Sequence, residues 1–399
     1  MLDIIDSTQK QKTLPLFRLG FRLFFLLGST FALLSMGAWT FTLTGKLTLS
    51  PLNDILWWHS HEMLFGFVTA IIAGFLLTAV SNWTGIPGVR GLKLAIIFSV
   101  WLAARLLIIL NFAINPTVII FVDLIFLPLV AFFLGYSLFS IRQYRNMIFI
   151  LLLLLMTLSN LLTYLPQLGF SSDLSQQGLH SMALLVVLLI ALLGGRVIPM
   201  FTANGTGTVK VLPLKWLEIS SLTSLFLLYL VMLLGFEKPT VAFATLAFIA
   251  SGLHFYRCLR WRPWITLHTP LLWSLHVSML FIPIGLALIG LHYALEIISL
   301  STAIHSLTVG TISGMILAMM SRVSLGHTGR ALKANRLIQL AFISIVFSAI
   351  SRSLFIALLP NNTAQLWMLS GALWCIAFGS FLWVYLPILT TSRFDGRPE

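Results

Sequence analysis

Long apolar runs alternate along the whole chain with short polar segments. Twelve such runs are visible, and each approaches the roughly 20 residues that a helix needs to cross a bilayer. They cover residues 21–43, 62–83, 93–113, 117–140, 147–166, 179–200, 216–235, 240–258, 270–291, 299–320, 336–358 and 365–388. The runs are too long and too uniformly apolar for barrel strands. The pattern therefore predicts an all-α, polytopic membrane helical bundle of about twelve transmembrane helices.

Composition supports the same fold class. The 399 residues are 59% hydrophobic and only 9% charged, whereas a soluble domain of this length carries about 25% charged residues. Because the polar segments are short, we expect residues 1–399 to form a single transmembrane domain in a lipid bilayer. The net charge of +13 would favour nucleic-acid binding in a soluble protein. Here the basic residues lie in loops between spans, so nucleic acid is not an expected partner.

The basic residues fall almost entirely in alternate loops. When the N-terminus is placed inside, the outside loops hold only Lys46 and Lys238, and two arginines, Arg105 and Arg352, lie within spans. The other 20 of the 24 Lys and Arg residues then face the inside. By the positive-inside rule, this alternation predicts an even number of spans with both termini cytoplasmic.

Five of the nine histidines fall in or near the half of the bundle that this topology places outside. They are His59, His61, His180, His292 and His305. An ionisable side chain at membrane depth is a functional candidate, and neutral imidazole suits haem iron and copper equally well. No Cys-x-x-Cys-His signal occurs, so any haem would be held non-covalently.

His59 and His61 stand at the start of the second apolar run, directly after Trp57 and Trp58. On a regular helix, two residues place side chains about 200° apart, so both histidines reach one metal only if His59 is still in the loop. We expect one imidazole to face the bundle as a ligand and the other to bind a separate group or cap the helix. The alternative is an interfacial helix start whose polar residues lie among the lipid headgroups.

His305 lies a turn or two inside the tenth run. Gly310 and Gly314 follow it as a G-x-x-x-G ridge, which allows close helix packing. Nine residues separate His305 from Gly314, and this spacing turns His305 half a turn away from the ridge. We expect the ridge to pack on one neighbour and His305 to face another direction, plausibly a cofactor. A histidine bonded to a neighbouring helix is the alternative, and His180 and His292 could simply be interfacial.

Two segments on the predicted inner side combine glycines with basic side chains. Their candidate anion-binding residues are Arg196, Arg322, His327 and Arg330. These side chains could bind a haem propionate or a lipid headgroup. The alternative is that they only anchor the helix ends at the inner membrane surface, as the positive-inside rule describes. Arg105 and Asp123, in neighbouring spans, could form an ion pair, but their depths match only roughly.

Several long motifs occur in order along the chain. They include Pro15–Arg22 (PLFRLGFR), Trp58–Phe67 (WHSHEMLFGF), Gly195–Thr202 (GRVIPMFT), His305–Gly310 (HSLTVG) and, most specific, Met320–Arg330 (MSRVSLGHTGR). Together they resemble the NnrS family, bacterial inner-membrane proteins linked to nitric oxide metabolism and reported to hold haem and copper. The resemblance covers nearly the whole chain. It implies haem b and copper as cofactors, a place in the bacterial cytoplasmic membrane, and a role in nitrosative stress with nitric oxide or a nitrosyl species as ligand.

The sequence therefore favours a membrane haem- and copper-binding protein of nitric oxide metabolism, with its metal site in the periplasmic half of the bundle. The expected haem ligands are His61, His305 and His180, and the expected copper ligands are His59 and His292. Whether the protein is an enzyme, and what its electron donor is, stay open. One alternative is a secondary transporter for a metal ion or small anion that uses the histidines as a relay. Another is a membrane factor that delivers metal to a different complex.

Overall fold

The computed structural model describes residues 13–110, 114–236 and 240–397, and these contain twelve helices long and apolar enough to span a membrane. The helices are α1 (Gly20–Leu43), α2 (Ile55–Thr84), α3 (Leu92–Leu110), α4 (Pro116–Ser140), α5 (Tyr144–Leu168), α6 (Asp173–Thr206), α7 (Lys215–Leu233), α8 (Val241–Arg260), α9 (Pro270–Leu295), α10 (Leu300–His327), α11 (Arg336–Leu358) and α12 (Pro360–Thr390). The described residues contain no strand. The predicted all-α bundle of about twelve spans is confirmed.

The start of α1 and the end of α12 lie at the same end of the bundle. Arg18 donates to Ser392 Oγ at 3.1 Å, and Arg22 donates to the backbone oxygen of Leu389 at 2.7 Å. We refer to this end as the terminal end, and to the opposite end, where α2 and α10 begin, as the histidine end. The side of the membrane that each end faces stays a sequence prediction, and Lys238, which contributed to it, lies outside the described residues.

Four helices, α2, α6, α9 and α10, form the centre of the bundle. The share of buried residues in the apolar stretch of each of these helices is 83%, 61%, 72% and 83%, in that order. The corresponding share is 33% for α3 and 39% for α8 and α12. Peripheral helices leave large apolar side chains exposed, among them Leu92, Val241 and Trp383, as contact with lipid requires. A site between α2, α6 and α10 is therefore enclosed by protein rather than open to lipid along its sides.

α2 begins at Ile55, whereas the apolar pattern placed its start at residue 62. The Asp54 carboxylate accepts hydrogen bonds from the backbone N–H groups of Leu56 and Trp57, both at 2.9 Å. This N-cap satisfies donors that a helix start otherwise leaves without partners. His59 therefore lies inside the helix rather than in the preceding loop, so His59 and His61 point in different directions.

Three helices contain a π turn near the histidine end. These turns are Glu62–Val68 in α2, Ser306–Ser313 in α10 and Ser351–Phe355 in α11. A π turn widens the helix locally, shifts the register of the following residues and is frequent at functional sites. The first turn directly follows His61 and the second directly follows His305, so both candidate histidines are placed at register shifts.

The glycine ridge of α10 packs on α9. A Cβ atom on Gly310 would overlap the Phe281 side chain, and one on Gly314 would lie 2.6 Å from Ser278 Oγ. His305, in contrast, lines a cavity that α10 shares with α2 and α6. The prediction that the ridge and His305 face different neighbours is confirmed.

Candidate cofactor site

A cavity of about 290 Å³ lies between α2, α6 and α10 at the histidine end, with His59, His180 and His305 on its wall. An adjoining space of about 190 Å³ shares His59 and His305 and adds Arg352. We refer to the two spaces, lined by these four residues, as the histidine cavity. Drug-sized ligands occupy pockets of about 300–1,000 Å³. The first space approaches the lower end of that range, so the histidine cavity could hold more than a single ion.

His305 is oriented as metal-binding histidines commonly are. Its Nδ1 lies 2.7 Å from the backbone oxygen of Ser301, so the Nδ1–H group donates to that carbonyl. This bond fixes the tautomer and leaves Nε2 as the nitrogen that can bind a metal. The ring shares the wall of the first space with His59 and His180. His305 is thus the best-oriented candidate ligand of the cavity.

His59 is held by stacking rather than by hydrogen bonds. Its ring lies parallel to the Trp39 indole, with ring centroids 4.4 Å apart and planes inclined by 11°. Its Nδ1 is buried and has no hydrogen-bond partner within the described part of the chain. A buried polar atom without a partner costs about 1–3 kcal/mol. A rigid imidazole with an unpaired nitrogen at a cavity wall is suited to receive a ligand.

His61 faces away from the cavity into a buried polar cluster. Its Nδ1 lies 3.0 Å from Glu62 Oε1, and its Nε2 lies 3.0 Å from Asn160 Oδ1. The Asn160 amide donates through Nδ2 to Asp123 Oδ2 at 2.7 Å, which fixes the orientation of the amide. Both ring nitrogens of His61 therefore face acceptor oxygens. A metal could reach either nitrogen only if these contacts were broken.

Arg105 completes this cluster by joining its two carboxylates. The guanidinium donates to Glu62 Oε1 at 2.8 Å and pairs with Asp123, as the sequence suggested for Arg105 and Asp123. Tyr164 donates its hydroxyl to Asp123 Oδ2 at 3.0 Å. When His61 carries both ring protons, two cations balance two anions, as charges buried at membrane depth require. We refer to the buried residues His61, Glu62, Arg105, Asp123, Asn160 and Tyr164 as the charged cluster.

His292 lies near the end of α9, at the histidine end, and is not among the residues that line the histidine cavity. Its Nδ1 lies 2.7 Å from the backbone oxygen of Ile298, and its ring packs edge-on against Tyr293. The five predicted histidines are therefore divided among three surroundings. Among the residues that the structure describes, no three His, Cys, Asp or Glu side chains come together in a group that could hold a metal ion.

The four predicted anion-binding residues lie at the terminal end, far from the histidine cavity. Their side chains pack on separate aromatic rings: Arg196 on Phe149, Arg322 on Phe201, Arg330 on Phe394 and His327 on Phe21. These stacked positions suit a helix end near a membrane surface. The binding of a propionate or headgroup at these residues stays a prediction.

Two features of the site were missed at the level of sequence. Arg352 was placed within a span without a role, although an arginine at membrane depth in a span that contains no Asp or Glu is a visible signal. Glu62 was given no partner, and it contacts both His61 and Arg105.

Comparison with known families bears on this arrangement. The family model described as NnrS protein matches residues 15–393, nearly the whole chain. The chain belongs to the NnrS family. The resemblance suggested by the motifs is thereby confirmed, and membership suggests a membrane protein of the nitric oxide response. No curated protein matches the sequence.

Proposed function

We propose that this NnrS-family protein binds haem b in the histidine cavity and acts in nitric oxide metabolism or in protection against nitrosative stress. The observation that carries the proposal is the orientation of His305. Its Nδ1 is held by the Ser301 carbonyl while its ring lines a cavity shared with His59 and His180. Imidazoles on the wall of a largely apolar cavity form a donor set that suits a non-covalently bound haem.

The surroundings of the histidines also suit a haem. Apolar side chains such as Met63, Phe67 and Trp374 provide much of the wall, and a porphyrin plane is itself largely apolar. Among the described residues, the buried Nδ1 of His59 has no hydrogen-bond partner. A bound haem iron would supply an open coordination position for a diatomic ligand such as nitric oxide. The chain itself would orient the iron through its imidazoles and limit the access of water.

Copper is the less well supported of the two implied cofactors. No group of three or more metal-ligating side chains occurs in the described residues. A copper ion would draw its donors from His59, His180 and His292, whose Nδ1 is occupied by a backbone carbonyl. Neutral imidazole nitrogens are suitable copper ligands. Copper binding is therefore a second part of the proposal, and it is tested independently of haem binding.

Spectra of the purified full-length protein in detergent test the haem assignment. We expect a Soret band and iron in stoichiometric amount. His305→Ala and His59→Ala should each lower the haem content. His276→Ala is the matched control, because the His276 ring is bonded to Thr202 at 2.8 Å and lies outside the lining of the histidine cavity.

The His61→Gln variant decides between the two histidines of the His-Ser-His motif. The contacts of His61 predict that a folded His61→Gln protein keeps its haem, whereas a ligand role predicts that it loses the haem. Folding is checked by size-exclusion chromatography and circular dichroism. The absence of a Soret band together with the absence of stoichiometric iron and copper in the wild-type protein would overturn the proposed function.

A further inference from the structure

Arg352 places a guanidinium group on the wall of the histidine cavity. It lies in the π turn of α11, six residues before the helix ends at Leu358, or roughly 9 Å in from that end. Its Nη2 donates to Ser301 Oγ at 3.2 Å, and its central carbon lies 5.3 Å from the centroid of the Trp367 ring. A guanidinium has five N–H donors. The contacts seen here leave most of that donor capacity available.

In the part of the chain that the structure describes, neither of the two spaces of the histidine cavity is lined by an Asp or Glu that could balance this charge. Two buried arginines do pair with carboxylates, Arg105 with Glu62 and Arg257 with Glu218. A cation at membrane depth is expensive without a counter-charge. With neutral imidazoles, Arg352 gives the cavity a net positive charge and therefore an attraction for anions.

Ser301 couples the guanidinium to the best-oriented histidine. Its hydroxyl oxygen accepts from Arg352, while its backbone oxygen, 2.7 Å from Nδ1, accepts from His305. Arg352 also lines the same space as His59 and His305. An anion held by Arg352 would therefore lie beside any metal held by these histidines.

We propose that Arg352 is an anion-binding residue of the histidine cavity and holds a carboxylate or a small oxyanion next to the metal position. The planar fork of a guanidinium matches the paired oxygens of such groups. The inference rests on the proposed function and deepens it, because it names a ligand class for the same cavity. The occupant has two chemical sources, a propionate of the bound haem or a free inorganic anion such as nitrite.

Direct titration with sodium nitrite tests for the anion site. Isothermal titration calorimetry is performed on the full-length protein in detergent after haem and metals have been removed. Arg352→Gln removes the positive charge. Arg352→Lys keeps the positive charge but removes the planar guanidinium group. Arg336→Gln, at the exposed start of the same helix, is the matched control. We expect at least a tenfold loss of nitrite affinity in Arg352→Gln, a smaller loss in Arg352→Lys and none in the control.

Haem retention separates the two sources of the anion. Haem and its dimethyl ester, whose propionates carry no charge, are each added to the stripped protein. If a propionate occupies the site, the wild-type protein holds haem at least tenfold more tightly than the ester, and Arg352→Gln holds both alike. If a free anion occupies it, Arg352→Gln lowers nitrite affinity while haem and ester are held equally by both proteins.

The proposal is overturned if Arg352→Gln equals the wild-type protein both in nitrite affinity and in its preference for haem over the ester. If Arg352→Gln does not fold, the wild-type protein alone tests the proposal. The proposal is then overturned if the wild-type protein does not bind nitrite and retains haem and the ester equally well. The nitrite experiment uses haem-free protein. A failure of the haem proposal, seen as a missing Soret band, is therefore distinguishable from a failure of the anion site.

Discussion

Replacement of Arg105 by methionine perturbs the charged cluster at its centre. The guanidinium that donates to Glu62 at 2.8 Å and pairs with Asp123 is exchanged for an apolar chain of comparable length. Two buried carboxylates are then left with His61 as the one ionisable base of the cluster, so two negative charges face at most one positive charge within the membrane. Removal of one partner from a buried ion pair costs about 3–5 kcal/mol. We expect Arg105→Met to lower the free energy of unfolding by that amount.

A second substitution should recover part of this loss. In Arg105→Met/Asp123→Asn, one carboxylate is removed, and the remaining charge of Glu62 is balanced when His61 carries both ring protons. The amide oxygen at position 123 can still accept the Tyr164 hydroxyl bond, which now measures 3.0 Å. Ordinary hydrogen bonds contribute about 0.5–1.5 kcal/mol each, less than an uncompensated buried charge. The double variant should therefore be more stable than Arg105→Met by about 2 kcal/mol or more.

Unfolding in mixed micelles of a mild detergent and dodecyl sulfate, followed by circular dichroism, measures these differences. Lys93→Met is the matched control, since Lys93 is exposed near the start of the same helix and should change stability little. Two results would refute the charge-balance reasoning. One is an Arg105→Met protein within about 1 kcal/mol of wild type, and the other is a double variant less stable than the single one.

Two further predictions concern packing and acid sensitivity. Gly310→Ala should lower the free energy of unfolding by about 1–3 kcal/mol because the new methyl group overlaps Phe281. Gly379→Ala is the control and should leave stability unchanged, since no described atom lies within 4 Å of its Cβ position. The same unfolding assay measures both variants. Hydrogen bonds from Arg393 lower the pKa of Asp395 from 3.8 to about 2, so this contact is complete above about pH 4 and is lost as the pH falls through 2. Pepsin cleavage of the C-terminal segment across this range should show that acid step in the wild-type protein and not in Asp395→Asn.

The spans were predictable from sequence because lipid leaves an apolar run little choice but a helix. The glycine ridge was predictable for a similar reason, since Gly310 admits the Phe281 ring where a larger side chain would not. The start of α2 was not predictable from hydropathy. His59, Ser60 and His61 lower the hydropathy of a helical turn that is buried by protein rather than by lipid. Hydropathy reports contact with lipid, and the cap at Asp54 was the better signal for this end.

Sequence predicted that His59 and His61 diverge, but not which of them faces the cavity. The partners of His61 come from other helices, as Asn160 and Asp123 show, and no local spacing encodes such contacts. The π turns add a second difficulty. A fixed angle per residue fails across Glu62–Val68, so faces assigned before that segment do not continue after it.

The packing of α2, α6 and α10 also bears on the alternative that the protein is a secondary transporter. On the terminal side of the histidine cavity lies a space of about 80 Å³ with an apolar lining that includes Ile72, Leu189 and Met319, and Val68 borders both spaces. An ion that moved along this path would lose its water without gaining polar partners.

A small neutral molecule such as nitric oxide meets no such barrier there. The arrangement therefore favours retention of a metal at the histidine end over its passage. Reconstituted proteoliposomes test this argument, and we expect no uptake of a metal ion or small anion by metal-free protein. Uptake that survives complete metal removal would contradict the argument, because ions would then cross a section that offers them only apolar side chains.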